Sequence, residues 1–335
     1  MDNITHTLLG ITLSKAGLNK KVPHAAVLLM IGANLPDVDT VSGFWGNLAY
    51  LKYHRGITHS FLGVTVLALA LAGVAYGLYR RSQKKNPSKS PPSFMALLWV
   101  CLIGTWSHLL LDFTNSYGVR PFMPFSDRWV AWDIEFIIDP VILGILLCGL
   151  LLPLLFRLIS EEVGAVKRRQ PGRGGAVAAL VLIVSLWALR DYNHRVAISK
   201  MSAFTYREET PNAVFAMPEP GNPFQWNGIV ETDDAYFSMR VGPGFSATNA
   251  SQAQVFYKPG SSDALRVAQS SNTGKVFLGF ARIPIYTLEK RGDSVLVTIR
   301  DLRFASATRR RRGFNATILV GKDLQVLNQR FRFAG

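Results

Sequence analysis

Apolar residues run in long blocks up to about residue 190 and then give way to short alternating segments. Residues 4–17 are moderately apolar and end at a Gly-Leu-Asn-Lys-Lys turn. Residues 25–35 form a second apolar run that stops at Pro36, so the pair predicts a helical hairpin that enters a membrane partly or wholly. Runs of this length also suit re-entrant or interfacial helices. Residues 61–79 and 94–111 carry no charge and approach the roughly twenty residues that a spanning helix needs. Residues 140–156 predict a third span, with Asp139 as a candidate N-cap and Pro140 at the first helical position, where proline is tolerated. Residues 174–189 form a shorter fourth run that delivers the chain to Arg190.

Beyond residue 200 the pattern is strand-like. Alternating β-branched and aromatic residues at 228–232, 235–241, 253–257, 275–283, 294–300, 314–320 and 324–333, with Gly-Lys-Asp at 321–323 as a hairpin turn, predict mostly antiparallel β structure. The expected architecture is therefore an α-helical polytopic membrane domain over residues 1–190, followed by a mostly antiparallel β soluble domain over residues 200–335.

The net charge of +15 raises the question of nucleic acid, and its distribution answers it. Arg80, Arg81, Lys84, Lys85 and Lys89 occupy one short loop between apolar runs, and Arg157, Lys167, Arg168, Arg169 and Arg173 another. That is how cytoplasmic loops of membrane proteins look, and no nucleic-acid partner is expected. With those loops inside, His59, His108, Asp112 and Asp139 share the opposite membrane face, and the β domain lies outside the cytoplasm, in the periplasm. If Lys15, Lys20 and Lys21 mark the inner end of the hairpin, His6, Asp37 and Asp39 reach that same face. Trp45, Trp106, Trp129, Trp132 and Trp187 would lie near it as an aromatic belt. His24 falls on the inner side. The 309–312 arginine run reads as a solvated loop. The two cysteines, Cys101 and Cys148, each lie within an apolar run and make no CxxC site, and the N-terminus shows no basic region followed by a cleavage site.

The segment ANLPDVDTVSGFWGNLAYLKYHRGITHS (33–60) packs Asp37, Asp39, His54 and His59 together, and WSHLLLDF sets His108 and Asp112 four apart, one turn along one helix face. Singly, each has a bland account: an acid before a helix is a cap, and a histidine is hydrogen-bonded packing. Asp139 fits a cap and a ligand equally well. Collected on one face with His6, the set suits a divalent metal, Zn2+ or Mn2+.

MDNITHTLLG, NLPDVD, HRGITHS, HLLLDFTNSYGVRPFMPFS and FIIDP together resemble the YdjM-like family of bacterial inner-membrane predicted metal-dependent hydrolases, over roughly residues 1–160. The resemblance implies His6, Asp37, Asp39, His54, His59, His108 and Asp112 as site residues, with Asp139 near them. The ligand order is also similar to that of zinc-dependent phospholipase C, although after His108 the sequence has only His194. The implied chemistry is metal-assisted hydrolysis, with whichever of Asp112 and Asp39 is not a ligand orienting the attacking water and Arg120 or Arg128 holding an anionic substrate. A site at headgroup level points to membrane lipid or another envelope-associated ester. Two other classes stay open. In a scaffold, the spans would anchor the β domain over a structural polar layer; in a transporter, the charges would line a path, which their clustering at one face disfavours.

Overall fold

The computed structural model describes residues 1–20, 22–85, 92–162, 172–304 and 314–333. Lys21, Lys89, Lys167, Arg168 and Arg169 of the basic segments, and the arginine run at 309–312, lie outside them. The chain divides into two units. One comprises Met1–Asp39 and Arg55–Asp191, the other Thr40–His54 and Tyr192–Gly335.

In the first unit α1 (Asn3–Ala16) starts at Asp2, whose carboxylate accepts the Thr5 N–H and so satisfies a donor that the first helical turn leaves open. α2 (Ala25–Gly32) runs into a 3-10 stretch, Leu35–Trp45, because Pro36 lacks the N–H that would carry the α-helix on. After α3 (Asn47–Tyr53), which groups with the second unit, a 3-10 turn at Ile57–His59 leads into α4 (Phe61–Lys85). α5 (Phe94–Thr114), α6 (Pro140–Glu162) and α7 (Arg173–Ser202) complete the helical part. Among the described residues, five helical stretches are long and apolar enough to cross a membrane: Ala25–Trp45, Phe61–Lys85, Phe94–Thr114, Pro140–Leu158 and Arg173–Ser202. α7 outruns the apolar block at 174–189 by continuing through a polar stretch to Ser202.

The helices bury small and aliphatic residues against one another. Leu28 and Leu29 of α2, Ala68 and Ala72 of α4 and Leu97, Val100 and Cys101 of α5 form one cluster, and Leu9, Leu111, Ile142, Leu146 and Ile183 another. Outward faces stay apolar, with Val66, Trp99, Leu155 and Val184 all more than half exposed, as suits hydrocarbon surroundings. Backbones approach closely where glycine permits it. A methyl on Gly104 would lie 3.2 Å from the Gly32 Cα, and one on Gly10 would lie 2.9 Å from the Leu29 carbonyl oxygen. One on Gly149 would lie 2.8 Å from the Gly175 carbonyl oxygen.

The second unit holds two four-stranded antiparallel meanders. The first is β1 (Ala213–Glu219), β2 (Asn222–Glu231), β3 (Ala235–Val241) and, after the short α8 (Ala247–Ser251), β4 (Gln254–Tyr257). Then come α9 (Asp263–Ser270) and α10 (Asn272–Phe280), followed by β5 (Pro284–Arg291), β6 (Ser294–Asp301), β7 (Asn315–Val320) and β8 (Val326–Arg332). The 321–323 turn does join a hairpin, β7 to β8. The strand expected at 275–283 is instead helical as far as Phe280. Ser271 caps that helix by accepting the Gly274 N–H, and Phe277 and Phe280, three apart, bury one face. Buried Leu51 and the edge-on contact of Tyr50 with Phe333 belong to this unit, which explains why residues 40–54 group with it.

Candidate metal centre

Four side chains from three segments converge at one end of the helical unit. The 3-10 stretch after α2 supplies Asp37, the turn before α4 supplies His59, and the last turns of α5 supply His108 and Asp112. His59, His108 and Asp112 are wholly buried. His59 Nε2 lies 3.0 Å from His108 Nε2, 3.4 Å from Asp37 Oδ1 and 3.4 Å from Asp112 Oδ2. His108 Nε2 lies 3.6 Å from Asp37 Oδ1 and 3.5 Å from Asp112 Oδ2. Tetrahedral bonds of about 2.1 Å, usual for zinc with nitrogen and oxygen ligands, give ligand-to-ligand edges of about 3.4 Å. The four residues form an Asp/His cluster able to hold a metal ion.

The far side of each imidazole is occupied. His108 Nδ1 lies 2.7 Å from the Ala33 carbonyl oxygen, so it donates there and leaves Nε2 as a lone pair. His59 Nδ1 lies 3.2 Å from Asp39 Oδ2, and that oxygen also accepts the Thr58 hydroxyl (2.5 Å) and the Arg55 N–H (3.0 Å). Asp39 therefore stands behind His59 as the carboxylate that fixes its tautomer, an arrangement that recurs at metal-bound histidines. Two imidazole nitrogens facing each other at 3.0 Å need a proton or a metal cation between them. Asp112 Oδ2, buried on the same side, makes no hydrogen bond.

His6 stacks on His108 with ring centroids 3.9 Å apart, and its Nε2 lies 3.4 Å from Asp112 Oδ1. Neither of its ring nitrogens makes a hydrogen bond. Asp112 Oδ1 also meets the Met1 amino group. Burial, with Arg55 second, lowers the pKa of that amine well below its ordinary value.

Of the other candidates, Asp139 has its own partners outside this cluster. Asp139 caps α6: its Oδ1 accepts the N–H groups of Val141 (2.9 Å) and Ile142 (3.2 Å), and its Oδ2 takes Arg190 at 2.7 Å. Glu135 joins the same arginine, and burial raises its carboxyl to about 8. His54 ends α3 in the second unit, where its ring stacks on Tyr50. His24 starts α2 in the left-handed region, at φ 55°. His194 packs against Trp226. The loop after α5 folds back on itself through paired Val119 and Val130, and the Trp132 N–H donates to the Phe113 carbonyl. Arg120 donates to the Arg55 carbonyl (3.4 Å) and lies over Trp129.

Arg55 was not among the expected site residues. It is 4% exposed, and it donates to Asp112 Oδ1 (2.9 Å), Asn115 Oδ1 (3.1 Å) and the Gly118 carbonyl (3.2 Å), with its guanidinium over the Tyr117 ring. In the sequence it reads as one more basic residue; the only local hint is Gly56 after it, where the chain turns sharply.

The model of a family described as YdjM inner membrane protein matches residues 1–196. "Uncharacterized protein YfhP" of Bacillus subtilis (strain 168) is 24% identical over 338 residues, covering 97% of this chain and 93% of that one. "NADH-quinone oxidoreductase subunit N 1" of Koribacter versatilis (strain Ellin345) is 28% identical over 139 residues, 39% of this chain and 25% of that one. No solved structure matches.

Proposed function

This chain belongs to the YdjM inner membrane protein family, and from that premise we propose that it is a membrane-bound, metal-dependent hydrolase acting at the outer face of the inner membrane on a phospholipid or another phosphoester. The observation that carries this is the set of five ligand-to-ligand distances between 3.0 and 3.6 Å. They match the edges of one tetrahedral coordination sphere. His59, His108, Asp37 and Asp112 would hold a divalent ion, with Zn2+ or Mn2+ suited to two nitrogens and two oxygens. Such an ion would lower the pKa of a water admitted as a fifth ligand and stabilise negative charge on a phosphoryl oxygen. Asp39 keeps His59 in the tautomer that presents Nε2, the Ala33 carbonyl does the same for His108, and His6 stacks on His108 beside Asp112. Arg120, beside the site in the loop after α5, is the cation placed to meet an anionic headgroup.

Orientation follows from charge. Arg80, Arg81, Lys84 and Lys85 end α4, at the opposite end of that helix from His59, and Arg173 starts α7. A cytoplasmic place for those ends puts the metal cluster at the outer headgroup level and the β unit in the periplasm. A reporter fused after residue 335 is expected to behave as extracytoplasmic. In a chain with Cys101 and Cys148 replaced by alanine, Lys85→Cys should be shielded from an impermeant thiol reagent in intact cells. Labelling of that cysteine from outside would reverse the orientation.

The direct test is elemental analysis of the detergent-purified protein together with hydrolysis of a panel of phospholipids and generic phosphodiesters. Near-stoichiometric zinc or manganese, with turnover abolished by chelation and restored by the ion, is the expected result. Protein free of metal under all loading conditions would leave the membrane anchor for a periplasmic β domain as the better account.

A further inference from the structure

We infer that Arg55 is the positioning residue that holds Asp112 to one-oxygen ligation. This rests on the metal-dependent reading of the site. Asp112 has two oxygens with opposite fates. Oδ2 faces His59 and His108 at 3.4 and 3.5 Å and makes no hydrogen bond, whereas Oδ1 is taken by the Arg55 guanidinium at 2.9 Å and also meets the Met1 amino group. A carboxylate next to a divalent ion readily swings to bind through both oxygens unless one is held elsewhere. The guanidinium is itself held: Asn115 Oδ1 and the Gly118 carbonyl take its other terminal nitrogen, the Tyr117 ring supports its face, and its backbone N–H is bonded to Asp39. That last bond joins the two halves of the site, because the same Asp39 oxygen faces His59 Nδ1. The backbone of Arg55 sits at φ 56°, a region that disfavours a non-glycine residue by about 1 kcal/mol or more, and the surrounding bonds hold it there.

The test is cobalt substitution of the full-length protein in detergent, because visible Co2+ absorption distinguishes four-coordinate from higher-coordinate sites. Wild type should show the intense four-coordinate band. In Arg55→Gln, which removes the charge and the fork, the variant should still bind cobalt, with the band weakened roughly threefold or more as Asp112 turns bidentate. Arg55→Lys, which keeps a cation near Oδ1, should recover a wild-type-like band. If Arg55→Gln fails to fold, Asn115→Ala, which frees one side of the guanidinium, serves in its place and should weaken the band partially. A wild-type band in the folded Arg55→Gln protein, or in Asn115→Ala where that is the variant used, overturns the inference and leaves the metal centre standing. Complete loss of cobalt from the folded Arg55→Gln protein overturns it too, since Arg55 would then be needed for assembly of the site. A wild type that takes up no cobalt refutes the metal centre itself.

Discussion

His108→Ala, purified and folded in detergent, is expected to retain less than about a tenth of the wild-type metal, since loss of a direct ligand exceeds the 10–100-fold cost usual for residues behind one. His59→Ala, Asp37→Ala and Asp112→Ala should resemble it, because ligands from three segments close one coordination sphere and none can be spared. Asp39→Ala should fall between. It leaves the four ligands in place but releases the His59 tautomer, so roughly 10–100-fold weaker metal binding is expected. Ser107 neighbours His108 but donates its hydroxyl to the Gly104 carbonyl at 2.7 Å, so Ser107→Ala should behave as wild type. His24→Ala should as well, being at the start of α2 and away from the cluster. The measurement is metal per folded protein across the set. Equal metal in wild type and His108→Ala would sink the shared site.

The second large effect is expected where no ligand is touched. Gly63 lies in the first turn of α4 directly under the turn that carries His59, and a methyl on it would come within 1.7 Å of the Ile57 carbonyl oxygen and 3.1 Å of the Thr58 Cα. Neither is the flexible end of a side chain. The Ile57 carbonyl is also the acceptor for the Ser60 hydroxyl, and Ser60 Oγ in turn accepts the Gly63 N–H, so the turn and the helix start are one hydrogen-bonded knot. Gly63→Ala must push that turn away, displacing Thr58 and His59 together. A stability loss of about 1–3 kcal/mol or more is expected, with metal content reduced alongside. Gly73→Ala, ten residues further along α4 with open space around it, is the matched control and should lose neither. Thermal midpoints in detergent with metal analysis of both variants decide it, and a fully loaded, wild-type-stable Gly63→Ala protein would contradict the geometry.

What could be foreseen from sequence follows the range of the interactions involved. Spans announce themselves because a membrane demands about twenty consecutive apolar residues, and the His108/Asp112 pair shows because helix periodicity is local. DVD and HRGITHS mark the neighbourhood in the same way, yet the separate parts of Asp37 and Asp39, one facing the cluster and the other backing His59, emerge only when the turn at 57–59 is packed against them. Asp139 before Pro140 is legible as a cap, but its second partner, Arg190, lies 51 residues away with no local sign. Arg55 was hidden by its own charge, which merges with the basic count of a basic chain. The misjudged strand at 275–283 has aromatic and β-branched residues that suit either state. A serine cap and the three-residue spacing of Phe277 and Phe280 decided for helix. Grouping of residues 40–54 with the β unit depends on Leu51 and Tyr50 finding partners far along the chain, which no local pattern encodes.

The three glycine crossings bear on how the helices find each other in lipid. Acyl chains solvate a leucine as well as another helix does, so burying apolar surface gives little reason for spans to associate; close backbone contact does. Gly32 and Gly104, whose backbones meet, each sit just before a partner in the Ala33 to His108 hydrogen bond, by one residue and by one helical turn. The contact that brings α2 and α5 together within the bilayer is therefore the one that orients His108. On this account the histidine is aimed during membrane assembly, ahead of any ion, and a lipid or detergent that loosens this crossing would lower metal affinity without touching a ligand.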